Sequence, residues 1–249
     1  FTHLHAQGTA VINNDDVYAE LWSQHIEHTH ADQSYTLSRF AINHAAEVKA
    51  TQIALQPHGS TFSLQTPQGS IDIQLPLLGK HNIMNALAAS ACALACGCSL
   101  EHIQQGLGQI QPVTGRLQHC AGIEHSTLLD DSYNANPASL NAALAALTHH
   151  TKPHWLILGD MNELGSRSVV FHRQAGRLAR EMGVERLWAL GTMSRYAVES
   201  FGQGAEHFSH HDDLIQALRT QFVPGATLLI KGSRSMQMEK IVRALRQED

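Results

Sequence analysis

Leu128-Leu129-Asp130-Asp131-Ser132-Tyr133-Asn134-Ala135-Asn136-Pro137 runs apolar residues straight into an acidic pair, and its proline opens a helical stretch. That order reads as the carboxyl end of a strand followed by a helix start, and open α/β sheets bind their ligands at such strand ends. A carboxylate placed there can accept from ribose hydroxyls, while amides and a helix N-terminus can hold phosphate or a carboxylate. The same residues also make an ordinary strand, turn and cap, with Asp and Asn chosen for local hydrogen bonds. On the residues alone both readings stand.

From His125 onward the chain alternates. Strands are expected at 126–129, 155–158, 187–190 and 227–230, with a short edge strand at 206–208; helices open at Pro137, Val169, Met193, Asp212 and Ser235. Parallel neighbours need crossover connections, so this alternation predicts an α/β domain, Rossmann-like, with a mostly parallel sheet and helices on both faces. Upstream the pattern is different. A strand at 9–13, a helix at 17–28 and a strand at 35–40 precede short alternating segments between Val48 and Leu75, punctuated by Pro57, Gly59, Pro67 and Gly69, which read as antiparallel hairpins. An Ala and Leu helix at 81–96 and a short helix at 100–107, capped by Ser99, follow. The stretch 108–115, with Pro112, marks the expected boundary, giving domains 1–111 and 112–249.

With 249 residues, 43% of them hydrophobic, the chain can bury a sizeable core, and no apolar run approaches the length of a membrane span. A net charge of -5 without any basic block argues against nucleic acid as the main partner. The four cysteines, Cys92, Cys96, Cys98 and Cys120, lack a matched C-x-x-C pair, and the 18 histidines show no H-E-x-x-H spacing, so neither group predicts a metal site. Nor does a G-x-G-x-x-G follow the first strand, which weighs against a nicotinamide-dependent oxidoreductase.

Four further stretches carry chemistry. Gly79-Lys80-His81-Asn82-Ile83-Met84-Asn85 sets two carboxamides three residues apart on one helix face, where each offers both donor and acceptor to a purine edge; a plain helix cap is the alternative. Gly115-Arg116 follows the boundary, and an Arg fork matches phosphate oxygens, although a solvated interdomain Arg fits equally. Lys231-Gly232-Ser233-Arg234-Ser235 follows a buried-looking strand and precedes an expected helix at 236–245, which suits a carboxylate, or else a capped helix with exposed cations. Asp160, Asn162 and Glu163 lie after another strand end and could bind an ammonium group.

Together with Gly115-Arg116-Leu117, Leu158-Gly159-Asp160-Met161-Asn162-Glu163-Leu164-Gly165 and Gly8-Thr9-Ala10-Val11-Ile12-Asn13-Asn14-Asp15-Asp16, these motifs resemble the Mur ligases of peptidoglycan synthesis, in family order over nearly the whole chain. The string Asp131-Ser132-Tyr133-Asn134-Ala135-Asn136-Pro137 favours the member that joins D-alanyl-D-alanine to UDP-N-acetylmuramoyl-tripeptide over the sister ligases and folylpolyglutamate synthase. The resemblance implies an ATP-dependent amide ligase working through an acyl phosphate, with Mg2+ and small-molecule substrates, in the bacterial cytoplasm; a monomer is the default expectation, and composition already argues against a membrane or nucleic-acid partner. It implies Asn82 and Asn85 at the adenine, Arg116 at the phosphates, Asp131 at the ribose with Asp130 beside it, and Tyr133 and Asn134 shaping the same cleft. Asn136, Asp160, Glu163, His172, Lys231, Ser233 and Arg234 are the expected substrate residues, Arg116 and Lys231 being the candidate catalytic cations. It also implies a fragment. The chain opens on Phe1, and no G-x-x-x-x-G-K-[ST] run occurs, since Gln74 stands in place of the first Gly before Gly79-Lys80 and His81 follows the Lys. The family's magnesium ligands are then expected upstream, and the chain alone is expected to be inactive, a nucleotide-binding module at most.

Overall fold

The computed structural model describes residues 1–32 and 34–247. Its contacts divide into two compact units, Phe1–Gln111 and Pro112–Asp249.

The first unit is built on a five-stranded sheet, order β1-β2-β3-β4-β5. Strand β1 (Thr9–Asn13), helix α1 (Ala19–Thr29) and β2 (Thr36–Ala41) form a parallel pair with its helical crossover, and β2 runs parallel to β3 (Val48–Gln56). From β3 the chain meanders antiparallel through β4 (Gly59–Thr66) and β5 (Gly69–Leu75), as the alternating residues and the Pro and Gly punctuation predicted. Helices α2 (Lys80–Ala95) and α3 (Leu100–Gly108) then cover one face of the sheet. Ile83, Leu87 and Ala91 recur at helical spacing and pack with Ile103 and Leu107 on Phe40, Val48, Phe62, Leu64, Ile73 and Leu75. Ser99 caps α3, its hydroxyl accepting from the His102 amide. A smaller cluster of Ala10, Ile12, Ala19 and Ile26 seats α1.

The second unit carries a six-stranded sheet, order β10-β9-β8-β11-β7-β6. Its elements run β6 (Gln118–Ala121), β7 (Thr127–Asp131), α4 (Pro137–Leu147), β8 (His154–Gly159), α5 (Ser168–Glu181), β9 (Arg186–Leu190), α6 (Arg195–Phe201), β10 (Ala205–Phe208), α7 (His211–Thr220), β11 (Thr227–Lys231) and α8 (Glu239–Leu245). All pairs are parallel except β6 with β7. Strand β6, four residues of mixed burial, was not anticipated from local pattern. Along the central strands every second residue, Leu128, Trp155, Ile157, Trp188, Leu190, Leu228 and Ile230, packs with Leu214 and Leu218 of α7 and Ile241, Val242 and Leu245 of α8. The alternate residues face the other side, where α4 contacts β11 and α6 contacts β9.

Strand order positions the candidate site. After β7 the chain skips one place to β8, continues outward to β9 and β10, and returns to insert β11 between β8 and β7. The carboxyl ends of β8, β11 and β7 therefore lie side by side, bringing Asp131, Gly159 and Lys231 to one edge of the sheet. One expectation is corrected there. No helix opens at Ser235 or Met236; a single 3-10 turn at Arg234–Met236 is broken by Gln237 in the left-handed region (φ +49°), and α8 starts only at Glu239.

Candidate functional site

The cluster at the end of β7 and β11 is built on Asp131. Its Oδ1 accepts from the Leu117 amide at 3.1 Å, and its Oδ2 meets Lys231 Nζ at 2.5 Å. Lys231 also donates to the Asn134 carbonyl at 2.9 Å. Beside this pair the Arg116 guanidinium lies over the Tyr133 ring, 4.4 Å from its centroid, with both residues exposed. Gly115 makes the arrangement possible. Its φ is +76°, and a Cβ there would stand 3.1 Å from the Tyr133 amide nitrogen, which donates to the Gly115 carbonyl at 3.0 Å. The 115–117 segment, the β7 end and β11 thus form one cluster presenting a carboxylate, a guanidinium and an aromatic ring.

The neighbouring residues are knit into turns. Asp130, 2% exposed, accepts from the Ser132 amide at 3.1 Å and so folds the first bend. Asn134 Oδ1 accepts from the Ala135 amide at 2.8 Å. Asn136 caps α4, its Oδ1 accepting from the Ser139 amide at 2.8 Å while Ser139 Oγ returns to the Asn136 amide, with Pro137 next in the first helical position. Asn136 was expected on the substrate; its side-chain oxygen serves the helix.

Several other expected substrate residues are internal. Lys231 is 1% exposed and reaches its partners inside the protein, so it does not project as a free cation. Asp160, 8% exposed, accepts amide hydrogens of Thr192, Met193 and Ser194 at 2.7 to 3.0 Å, and so anchors the turn leading into α6 rather than presenting itself to an ammonium group. Gly191 (φ +122°) leaves the room for that carboxylate, since a Cβ would fall 2.5 Å from Asp160 Oδ1. His172 is fully buried: its Nε2 accepts from the Met161 amide at 3.0 Å while Nδ1 donates to the Ser168 carbonyl at 2.8 Å, which orients the ring. It pins the β8 end to α5 and cannot reach a substrate. The anchoring turn Gly191-Thr192-Met193-Ser194 was missed in the sequence, where a Gly and two hydroxyl residues after a strand were its only sign.

The β8 and β11 loops are tied to each other. Ser233 donates its amide to the Asp160 carbonyl at 3.0 Å, and its hydroxyl accepts from the Asn162 amide at 2.8 Å and reaches the Ala135 carbonyl at 3.5 Å. Asn162 Nδ2 donates to Ser235 Oγ at 2.6 Å. Ser233 is buried, whereas Glu163 and Arg234 are exposed, Arg234 pairing with Glu239 at 3.1 Å. Because no helix begins at Ser235, the carboxylate-binding helix N-terminus expected there is absent.

In the first unit, α2 begins after Gly79 (φ +84°) without a side-chain cap. Asn82 Nδ2 donates to the Leu78 carbonyl at 2.9 Å, and Asn85 Nδ2 donates to Asn82 Oδ1 at 3.3 Å, so the two carboxamides share one face as their spacing predicted. Asn85 is exposed. Among the described residues no group of three or more His, Cys, Asp or Glu could hold a metal ion, and no helix is long and apolar enough to cross a membrane.

With this geometry in hand, two family descriptions match: "Mur ligase middle domain" over residues 1–93 and "Mur ligase, glutamate ligase domain" over residues 115–234. A relative from Escherichia coli K12, the UDP-N-acetylmuramoyl-tripeptide–D-alanyl-D-alanine ligase, is 40% identical over 99% of this chain and 54% of its own length. A crystal structure of MurF from Acinetobacter baumannii superposes with a TM-score of 0.85 at 33% identity, over 97% of this chain and 52% of that one. MurF from Thermotoga maritima, solved in complex with ADP, has a TM-score of 0.80 at 16% identity, over 98% of this chain and 54% of that one, a likeness of fold. The chain spans about half the length of the relatives it matches.

Proposed function

This chain belongs to the Mur ligase family, and we propose that it supplies nucleotide- and substrate-binding parts of a ligase that joins D-alanyl-D-alanine to UDP-N-acetylmuramoyl-tripeptide at the expense of ATP. The observation that carries this reading is Asp131, held at the carboxyl end of β7 with both oxygens oriented and its side chain 16% exposed beside the Arg116 guanidinium stack. A carboxylate so fixed can accept from ribose hydroxyls, and the adjacent guanidinium suits phosphate oxygens. Tyr133 and Asn134 give the same cluster its outline. In the first unit, Asn82 and Asn85 offer carboxamides suited to an adenine edge.

A carboxylate lacks a good leaving group, and phosphorylation by ATP supplies one before the dipeptide amine attacks. Magnesium, when bound, neutralises phosphate charge during that transfer. Glu163 and Arg234, exposed on the β8 and β11 loops, are the proposed contacts to the peptide substrates, with Asp160, His172, Lys231 and Ser233 holding the surrounding loops from within and Asn136 capping α4 beside them. The reading places the enzyme in the bacterial cytoplasm.

Phosphate release by the full-length protein, with ATP, magnesium and UDP-N-acetylmuramoyl-tripeptide, tests this proposal. Release that depends on D-alanyl-D-alanine and yields the pentapeptide nucleotide is expected. Release with a single amino acid or glutamate instead moves the assignment to a sister ligase.

A further inference from the structure

Lys231, 1% exposed, is among the largest fully buried side chains, in the company of Trp155, Trp188 and Leu128. Removing an ammonium from water costs several kcal/mol unless charge and hydrogen bonds compensate, so a lysine retained here has a specific partner. That partner is Asp131 Oδ2, with the Asn134 carbonyl as second acceptor. At 1% exposure Lys231 offers no surface to a ligand. Asp131 does: its side chain is 16% exposed. A carboxylate has about four acceptor positions. The Leu117 amide and Lys231 take one each on opposite oxygens, leaving others for an incoming hydroxyl.

Register explains why a lysine at this position reaches that carboxylate. Lys231 and Asp131 are direct partners on adjacent parallel strands, so their side chains leave the sheet on the same face. By also holding the Asn134 carbonyl, Lys231 fixes the loop that carries Tyr133 against β11. We infer that Lys231 is a positioning residue for nucleotide binding, acting through Asp131 by holding its carboxylate aimed at the ribose hydroxyls, and touching neither nucleotide nor peptide itself. The inference rests on the reading above that Asp131 receives the ribose.

The experiment measures the affinity of the full-length protein for ADP and for 2′,3′-dideoxy-ADP by calorimetry, in the wild type, Asp131→Asn, Lys231→Met, Lys231→Gln and the double variant Asp131→Asn/Lys231→Met. A hydrogen bond to a charged group predicts that the wild type prefers ADP by about tenfold or more. In Lys231→Met that preference is lost as in Asp131→Asn, in Lys231→Gln it is reduced, and the double variant is no worse than the poorer single one. Lysine variants that bind both nucleotides more weakly but keep the ribose preference overturn the inference, as does a double variant in which the losses multiply. Unchanged ADP binding in either folded lysine variant overturns it too, and so does failure of both to fold, because the pair would then be a requirement of the fold. A wild type indifferent to the ribose hydroxyls instead refutes the role assigned to Asp131.

Discussion

Asp131 and Lys231, a hundred residues apart in the chain, are register partners on β7 and β11 and close an ion pair at the sheet's carboxyl edge. The lysine is almost wholly enclosed while the carboxylate keeps a window to solvent. The two partners are therefore unequal: loss of the aspartate strands a buried charge, whereas loss of the lysine leaves a carboxylate that water can still reach.

That asymmetry sets the first expected outcome. Asp131→Ala should destabilise the second unit by about 3–5 kcal/mol, the range for breaking a buried pair, and Lys231→Met by less. Urea denaturation followed by the fluorescence of Trp155 and Trp188, both in this unit's core, compares them. Equal losses would contradict the asymmetry.

Asp160→Ala orphans three amides of the turn before α6 in a largely buried setting. A loss of roughly 2–4 kcal/mol is expected, against about 0.5 kcal/mol or less for Glu163→Ala on the exposed loop nearby. Thermal unfolding of the two variants side by side reads the difference, and a mild Asp160→Ala would mean that the turn holds without its anchor.

Arg116→Ala should leave stability nearly unchanged, since an exposed cation–π contact contributes only ~0.5–1 kcal/mol. On the proposed function its effect appears in catalysis, as a rise in the KM for ATP of about tenfold or more, the value of a charge-assisted phosphate contact. A purified variant with wild-type ATP kinetics would remove Arg116 from the nucleotide site.

Acid should loosen the first unit through Asp15. Burial opposes ionisation of this carboxyl, but amide hydrogen bonds from Asn43, Ile42 and His44 and a side-chain bond from His44 outweigh it and hold the pKa at about 2, below the ordinary 3.8. A depressed carboxylate stabilises the fold above its unfolded pKa, and that contribution disappears as pH falls through the folded value. Roughly 1–2 kcal/mol should therefore be lost between about pH 4 and pH 2. Asp15→Asn should be less stable at neutral pH and show a flatter acid limb in pH-dependent denaturation; an unchanged limb would assign the acid sensitivity elsewhere.

The order and type of nearly all elements were legible in the sequence because they depend on neighbours: period-two alternation in β3 to β5, apolar runs at β7, β8, β9 and β11, the cap at Ser99, the proline opening α4. So was the carboxamide pair Asn82 and Asn85, whose shared face follows from helical spacing alone. Family membership was legible for the same reason, as strings of adjacent residues. What local pattern could not encode was strand order, because an apolar strand reads alike at any place in a parallel sheet. Only the return of β11 between β7 and β8 makes Lys231 the partner of Asp131 and encloses its charge. The same holds for Asp160, a polar residue after a strand end that read as a candidate for a ligand, and for His172, which the family resemblance put forward from the following helix. Whether such a side chain meets solvent or an unpaired backbone group is fixed by how the elements pack, which brings the Thr192 to Ser194 amides to Asp160 and the Met161 amide, just past β8, to His172 on α5. The sequence by itself determined the elements and the family; the tertiary structure decided which polar residues face a ligand and which hold the loops, because burial is settled by packing across the sheet and not along the chain.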